Sequence, residues 1–295
     1  MPTATKVLRN PRISQASPLR YPGGKSNFTP LIGAILAHNK LIGCSYYEPY
    51  AGGGGAALNL LYSGAVSEIY LNDADVAVYA FWHSILNHPK KFCEKIDTTS
   101  VSSAEWIRQR DIYRQPCQHA TFELGFATFF LNRCNRSGII KSGGPIGGLR
   151  QAGDYQIDAR FPKQNLKDRI IHLSQYRKSI HISNLDALKF LVTRIPKRLS
   201  NNFVYLDPPY IEQGRRLYYD NYKQRDHEAL AKYLCSLKHL KWVVSYDSHP
   251  LLKQFYSSAN TILARDAYRT ERRIRETEIL FFPKHLALPI RRSKL

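Results

Sequence analysis

Apolar residues along this chain fall into short continuous runs and into stretches of helical spacing, and the two patterns alternate. Phe203-Val204-Tyr205-Leu206 is one such run, the pattern of a strand buried on both faces of a parallel sheet. Asp207-Pro208-Pro209-Tyr210 stops it: neither proline can donate to a ladder, and the first biases Asp207 to an extended conformation. Strands are also expected over residues 45–50, 68–73 and 179–184, the last running on through 185–188. Later ones are expected over 240–245, 260–264 and 277–282, the final two paired as a hairpin across residues 265–275. Helical spacing predicts helices over 28–36, 76–86, 102–114, 122–131 and about 226–236. Strand and helix in alternation predict an α/β fold with a mostly parallel sheet.

That alternation lapses after residue 76 and resumes near 179, so a long insertion separates the second strand from the third. Its helices lead into an irregular, glycine-rich, basic segment over 132–148. Arg133, Asn135, Arg136 and Lys141 carry the groups that bind phosphates and base edges, on a backbone able to approach a groove. Solvated surface charge is the plainer account of the same residues.

Composition narrows the partner. Lys plus Arg outnumber Asp plus Glu 43 to 23, a formal charge of +20, and an excess that large points to a polyanion. The five cysteines are scattered without a C-x-x-C pair, as expected of a reduced, cytoplasmic protein with no structural zinc. Cys117 and His119 could supply two ligands but lack a second pair, so no metal is expected. No apolar run reaches membrane-spanning length.

Candidate chemistry sits in three places. Gly23-Gly24-Lys25-Ser26 invites a phosphate-loop reading, but Leu19 stands where the first glycine is needed, and a nucleotide triphosphatase is not expected. Ala51-Gly52-Gly53-Gly54-Gly55 opens a small-residue helix, where the backbone can pass close to a ligand and free N–H groups face it. Asp73 lies 21 residues beyond Gly52, the usual reach of a carboxylate that takes ribose hydroxyls. This half implies an adenosine-bearing ligand and leaves NAD and S-adenosyl-L-methionine open. Asp207 and Tyr210, an acceptor beside a flat ring at a strand end, suit an amino group held against an aromatic face. A strand end followed by a proline turn with a packed tyrosine is the competing reading.

Six motifs in order resemble the Dam-like (D12 class) adenine-specific DNA N6-methyltransferases over about residues 19–282. They are Leu19-Arg20-Tyr21-Pro22-Gly23-Gly24-Lys25, Glu48-Pro49-Tyr50-Ala51-Gly52-Gly53-Gly54, Leu71-Asn72-Asp73, Phe130-Leu131-Asn132-Arg133, Asp207-Pro208-Pro209-Tyr210 and Val244-Ser245-Tyr246-Asp247. The resemblance implies a Rossmann-like class I methyltransferase, α/β, with a mostly parallel seven-stranded sheet and a largely helical DNA-recognition insert. Residues 1–17 would be a flexible leader, 18–79 and 162–284 the catalytic domain, 80–161 the recognition domain and 285–295 a basic tail. Tyr21 and Lys25 would lie at the methionine end of S-adenosyl-L-methionine; Glu48, Ala51 and Gly52 would line it. Asp73 would take its ribose and Asp186 its adenine amino group. Family members often carry an aromatic after that last acid, where this chain has Ala187.

Asp207, Pro208 and Tyr210 would hold a flipped target adenine, while Arg133, Asn135, Arg136 and Lys141, with Arg269 and Arg272 of the later arginine run, would contact DNA. Double-stranded DNA is the expected partner of a monomer or weak dimer, and a restriction endonuclease of the same site is the protein partner to seek. The alternatives are cytosine-N4 or RNA adenine methylation, an inactive DNA-binding relative, and an NAD dehydrogenase.

Overall fold

The computed structural model describes residues 16–20, 24–196, 201–210, 222–264 and 278–289. Seven strands among them form one sheet: β1 (Cys44–Glu48), β2 (Val66–Asn72), β3 (Ile180–Ser183), β4 (Asn202–Leu206), β5 (Lys241–Asp247), β6 (Asn260–Leu263) and β7 (Glu278–Phe282). Their order is β3-β2-β1-β4-β5-β7-β6. The first five run parallel, and β7 lies antiparallel to both β5 and β6. The expected hairpin of the last two strands is therefore present, although its connection, with Arg269 and Arg272, lies outside the described residues.

Two consequences position the site. The chain moves outward from β1 through β2 to β3, then returns to lay β4 on the other side of β1. The carboxyl ends of β1 and β4 thus meet at a topological switch point, where open α/β sheets bind ligands. Because β7 is reversed, its first residue, Glu278, lies at that same edge, opposite Asp247 at the end of β5.

Helices cover the sheet: α1 (Thr29–His38), α2 (Gly55–Tyr62), α3 (Val76–Asn87), α4 (Pro89–Thr98), α5 (Ser103–Arg114), α6 (Thr121–Cys134), α7 (Lys163–Ser174), α8 (Ala187–Arg194), α9 (Gln224–Ser236) and α10 (Pro250–Phe255). The expected helices form with ends moved by a few residues; α8 and the short α10 are additions to the sequence reading, and so are α4 and α7. Both are polar helices whose few apolar residues, Phe92 and Ile96 in α4 and Leu166, Ile170 and Leu173 in α7, are buried. Both stripes nevertheless have helical spacing, Phe92 and Ile96 at i, i+4 and Leu166, Ile170 and Leu173 at i, i+4, i+7, so the sequence carried a signal for each helix.

Residues 185–188 do not continue the sheet. Asp186 caps α8, its Oδ1 accepting from the Leu188 and Lys189 amides at 2.9 and 3.1 Å, and Ala187 opens the helix. The apolar pattern was that of an amphipathic helix starting early. The irregular segment also begins later than expected, because Asn132, Arg133 and Cys134 form the buried last turn of α6.

The inserted helices share the core of the sheet. Phe92, Phe126, Phe129 and Phe130, fully buried, belong to one cluster with Tyr46, Leu71 and Phe203. Burial of each such ring contributes about 1.5–3 kcal/mol. Leu286 and Leu288, expected in a basic tail, are buried in that cluster too, and Asn39 brackets Ala287 with bonds to its carbonyl at 2.7 Å and from its amide at 3.0 Å.

Candidate active site

At the end of β4, Asp207 is the partly open member of a buried polar group. Its side chain is 22% exposed, against 9% for Lys25 and 5% for Glu278. The Ser245 hydroxyl on β5 donates to Asp207 Oδ1 at 3.2 Å, and the Lys25 ammonium pairs with the same oxygen at 3.2 Å. Lys25 also donates to the Tyr210 hydroxyl at 2.7 Å and to Glu278 Oε1, which in turn accepts from the Tyr210 hydroxyl at 3.0 Å. Burial opposes charge on Lys25, but the Asp207 and Glu278 carboxylates outweigh it and hold its pKa above the ordinary value. Burial pushes Asp207 up to about 6; Lys25 pulls against that shift and the Glu278 charge adds to it.

Next to this corner, Glu48 ends β1 as a carboxyl 3% exposed. Its Oε2 and the Tyr46 hydroxyl have no hydrogen-bond partner among the described residues. Burial, reinforced by the nearby Asp207 charge, raises the Glu48 pKa well above the carboxylate range. A buried carboxyl with an unmet oxygen, at the mouth of a helix N-terminus, suits a cationic group such as an amino acid ammonium.

The glycine loop beyond Glu48 is fixed from three sides. Gly52 and Gly54 have φ of 46° and 57°, which favours glycine at both. Trp82 on α3 donates to the Gly52 carbonyl at 2.9 Å, and a Cβ on Gly54 would meet its ring at 3.0 Å. Ser26, from the Gly-Lys-Ser turn, packs so close to Gly55 that a Cβ there would stand 2.2 Å from its hydroxyl. The turn that resembles a phosphate loop thus braces the start of α2.

On the far side, Asp73 follows β2 and accepts from the Gly52 amide and the Asp75 amide, each at 2.9 Å. Burial drives its pKa up to about 7, with the Asp75 charge adding and the amide bonds opposing. Asn72, 1% exposed, ties the strand ends together by donating to the Pro49 carbonyl at 3.0 Å and the Leu185 carbonyl at 2.9 Å. Lys25, Glu48, Ala51, Gly52, Asp73 and Asp186 therefore all lie along the carboxyl edge, in one arc with Asp207, Pro208 and Tyr210. Tyr21 lies outside the described residues. Glu48, Gly52 and Asp73 fit an adenosine-bearing, ammonium-bearing cofactor; the Lys25 ammonium, as placed, is committed to Asp207, Glu278 and Tyr210.

The insert divides its basic residues. Arg133, 5% exposed, donates to the Arg160 carbonyl at 2.7 Å and the Pro18 carbonyl at 3.5 Å. Burial, then the Arg169 and Arg20 charges, press its pKa down to about 9. Asn135 accepts from the Trp106 indole at 2.7 Å and donates to the Ile139 carbonyl at 2.6 Å. Asn132 clasps Arg20 in both directions, at 2.7 and 2.8 Å. These three hold the insert together and bind it to residues 16–20, whereas Arg136 and Lys141 are exposed.

Sequence reasoning had no role for Glu278, Trp82 or Asn72. Asn72 and Ser245 each lie inside one of the six motifs, which was the available signal for both. Among the described residues no group of His, Cys, Asp and Glu is placed to hold a metal, and no helix is long and apolar enough to cross a membrane.

Residues 21–276 match the family model described as D12 class N6 adenine-specific DNA methyltransferase. No curated protein matches the chain.

Proposed function

The chain belongs to the D12 class of N6 adenine-specific DNA methyltransferases, and from that premise we infer that it modifies a flipped adenine at a specific duplex site through the corner at Asp207. S-adenosyl-L-methionine, the cofactor of this class, supplies an electrophilic methyl group when bound. Glu48, Ala51, Gly52, Asp73 and Asp186 would hold it, with Tyr21, while Lys25 stays with Asp207, Glu278 and Tyr210.

The observation that carries the reading is the asymmetry of the Asp207 carboxylate. Ser245 and Lys25 both engage Oδ1. Oδ2 is then the oxygen for a substrate amino group, on the one acidic side chain of the cluster open to solvent. An adenine within a duplex cannot present N6 to such an edge, so the base must leave the stack. Tyr210 supplies the face on which it rests, and the Pro208 carbonyl a second acceptor. Two accepted hydrogen bonds favour a more tetrahedral N6 and aim its lone pair, a contribution of orientation and electrostatics. Asp207 need not be a strong base, because the proton can leave after the transfer.

Arg136 and Lys141, exposed beyond α6, would meet DNA, together with Arg269 and Arg272. Arg133 and Asn135 would act on recognition by shaping the insert from within. Action as a cytoplasmic monomer or weak dimer, with a restriction endonuclease of the same site as protein partner, completes the reading.

Tritiated methyl incorporation into duplex DNA, followed by nucleoside analysis, tests it. N6-methyladenine in wild-type reactions supports it; methylation confined to cytosine or to RNA would overturn it. Protection of restriction fragments across a panel of sites then defines the sequence.

A further inference from the structure

Glu278 lies in none of the motifs that mark the site, yet it organises two residues that do. Its position follows from strand direction: β7 alone among β1, β4, β5 and β7 starts at the carboxyl edge. Its side chain is 5% exposed, and Oε1 takes both the Lys25 ammonium and the Tyr210 hydroxyl. An ammonium has three N–H donors. Those of Lys25 face Glu278, Tyr210 and Asp207.

The charges in this group are two carboxylates and one ammonium. With Glu278 in place, Lys25 is shared, and it reaches Asp207 through Oδ1 at 3.2 Å. Without the Glu278 charge, Lys25 would have one anionic partner, and an ammonium closing on both oxygens of Asp207 would compete with a substrate amino group for them. Tyr210 would lose the charged acceptor that fixes its hydroxyl.

We propose that Glu278 is a positioning residue for methyl transfer: it draws Lys25 and Tyr210 toward β7 and so keeps the Asp207 carboxylate available to the target amino group. The proposal rests on the roles given above to Asp207 and Tyr210. The Glu278 charge also contributes to the raised Asp207 pKa, so its removal lets that pKa fall.

Glu278→Gln keeps the size and the acceptor for Tyr210 while removing the charge. Steady-state methylation of duplex DNA is measured for wild type, Glu278→Gln and Glu278→Asp over roughly pH 5 to 9. For Glu278→Gln, kcat should fall about tenfold or more while KM for S-adenosyl-L-methionine stays within about threefold. The acidic limb of its kcat profile should move to lower pH, and Glu278→Asp should restore the wild-type limb. A residue that merely supports the fold would lower Tm and leave the limb in place, and that outcome overturns the proposal. So does a kcat for Glu278→Gln within about twofold of wild type. Should Glu278→Gln fail to fold, Glu278→Ala carries the test: a reduced kcat with the acidic limb moved to lower pH supports the proposal, and a kcat within about twofold of wild type overturns it. A wild-type enzyme that leaves adenine in duplex DNA unmodified overturns the functional reading, and this proposal with it.

Discussion

Gly52 donates its backbone N–H to Oδ2 of Asp73 at 2.9 Å, so the glycine loop and the acid that follows the next strand form one hydrogen-bonded unit. Loss of that carboxylate removes both a ligand group and a brace of the loop. Asp73→Ala should weaken S-adenosyl-L-methionine binding at least about tenfold, or about 1.4 kcal/mol, by calorimetry. NAD should bind far more weakly to the wild-type protein, and comparable affinities would refute the cofactor assignment to this loop.

The same carboxylate should leave a mark on stability. Its folded pKa is pushed up to about 7, above the ~3.9 of an unfolded aspartate. A group raised in this way stabilises the fold fully below its unfolded pKa, and the contribution is lost as pH rises through the folded one. Relative to Asp73→Asn, the ligand-free wild-type protein should therefore lose stability between about pH 4 and pH 7. Thermal melts of both proteins across that window check this, and parallel curves would count against the buried acid.

At the corner itself, Asp207→Ala should remove methyl transfer while leaving cofactor affinity within about threefold, because the lost oxygens act on the reacting amino group. Tyr210→Ala should weaken capture of the flipped base. Tyr210→Phe should be milder, keeping the ring and losing only the hydroxyl that bridges Lys25 and Glu278. Radiolabelled methyl transfer alongside calorimetry separates the two effects, and an active Asp207→Ala enzyme would remove Asp207 from the mechanism.

Burial separates the consequences of neighbouring changes in the insert. Asn135→Ala leaves the Trp106 indole N–H and the Ile139 carbonyl without their partner and should cost about 1–3 kcal/mol of stability. Arg136→Ala, at an exposed position, should keep the Tm and lower DNA affinity similarly across sequences, reducing the salt slope by about 1. Denaturant unfolding and binding titrations at several salt concentrations measure these. A destabilised Arg136→Ala with unchanged DNA binding would reverse the assignment.

Much of this organisation was legible from local pattern. The apolar run at residues 203–206, the prolines after it and the glycines at 52–55 are signals a single segment carries, because strand burial, lost donors and positive φ are properties of the chain at that place. α4 and α7 were legible but easily passed over: their apolar residues have helical spacing, yet each stripe is narrow, set in polar sequence, and completed by packing against the rest of the core. Arg133 and Asn135 look like DNA-facing groups in the sequence, and nothing local reveals that their donors turn inward to carbonyls of residues 18, 139 and 160.

The sequence by itself determined the order of the strands along the chain and the edge of the sheet at which Asp73 and Asp207 sit. Only the tertiary structure decided which side chains share that edge. Strand order brought Glu48 beside Asp207, and the reversal of β7 brought Glu278 to Lys25 across 253 residues of chain. Contacts that distant are set by the register and direction of strands pairing in three dimensions, and no periodicity within either segment encodes them.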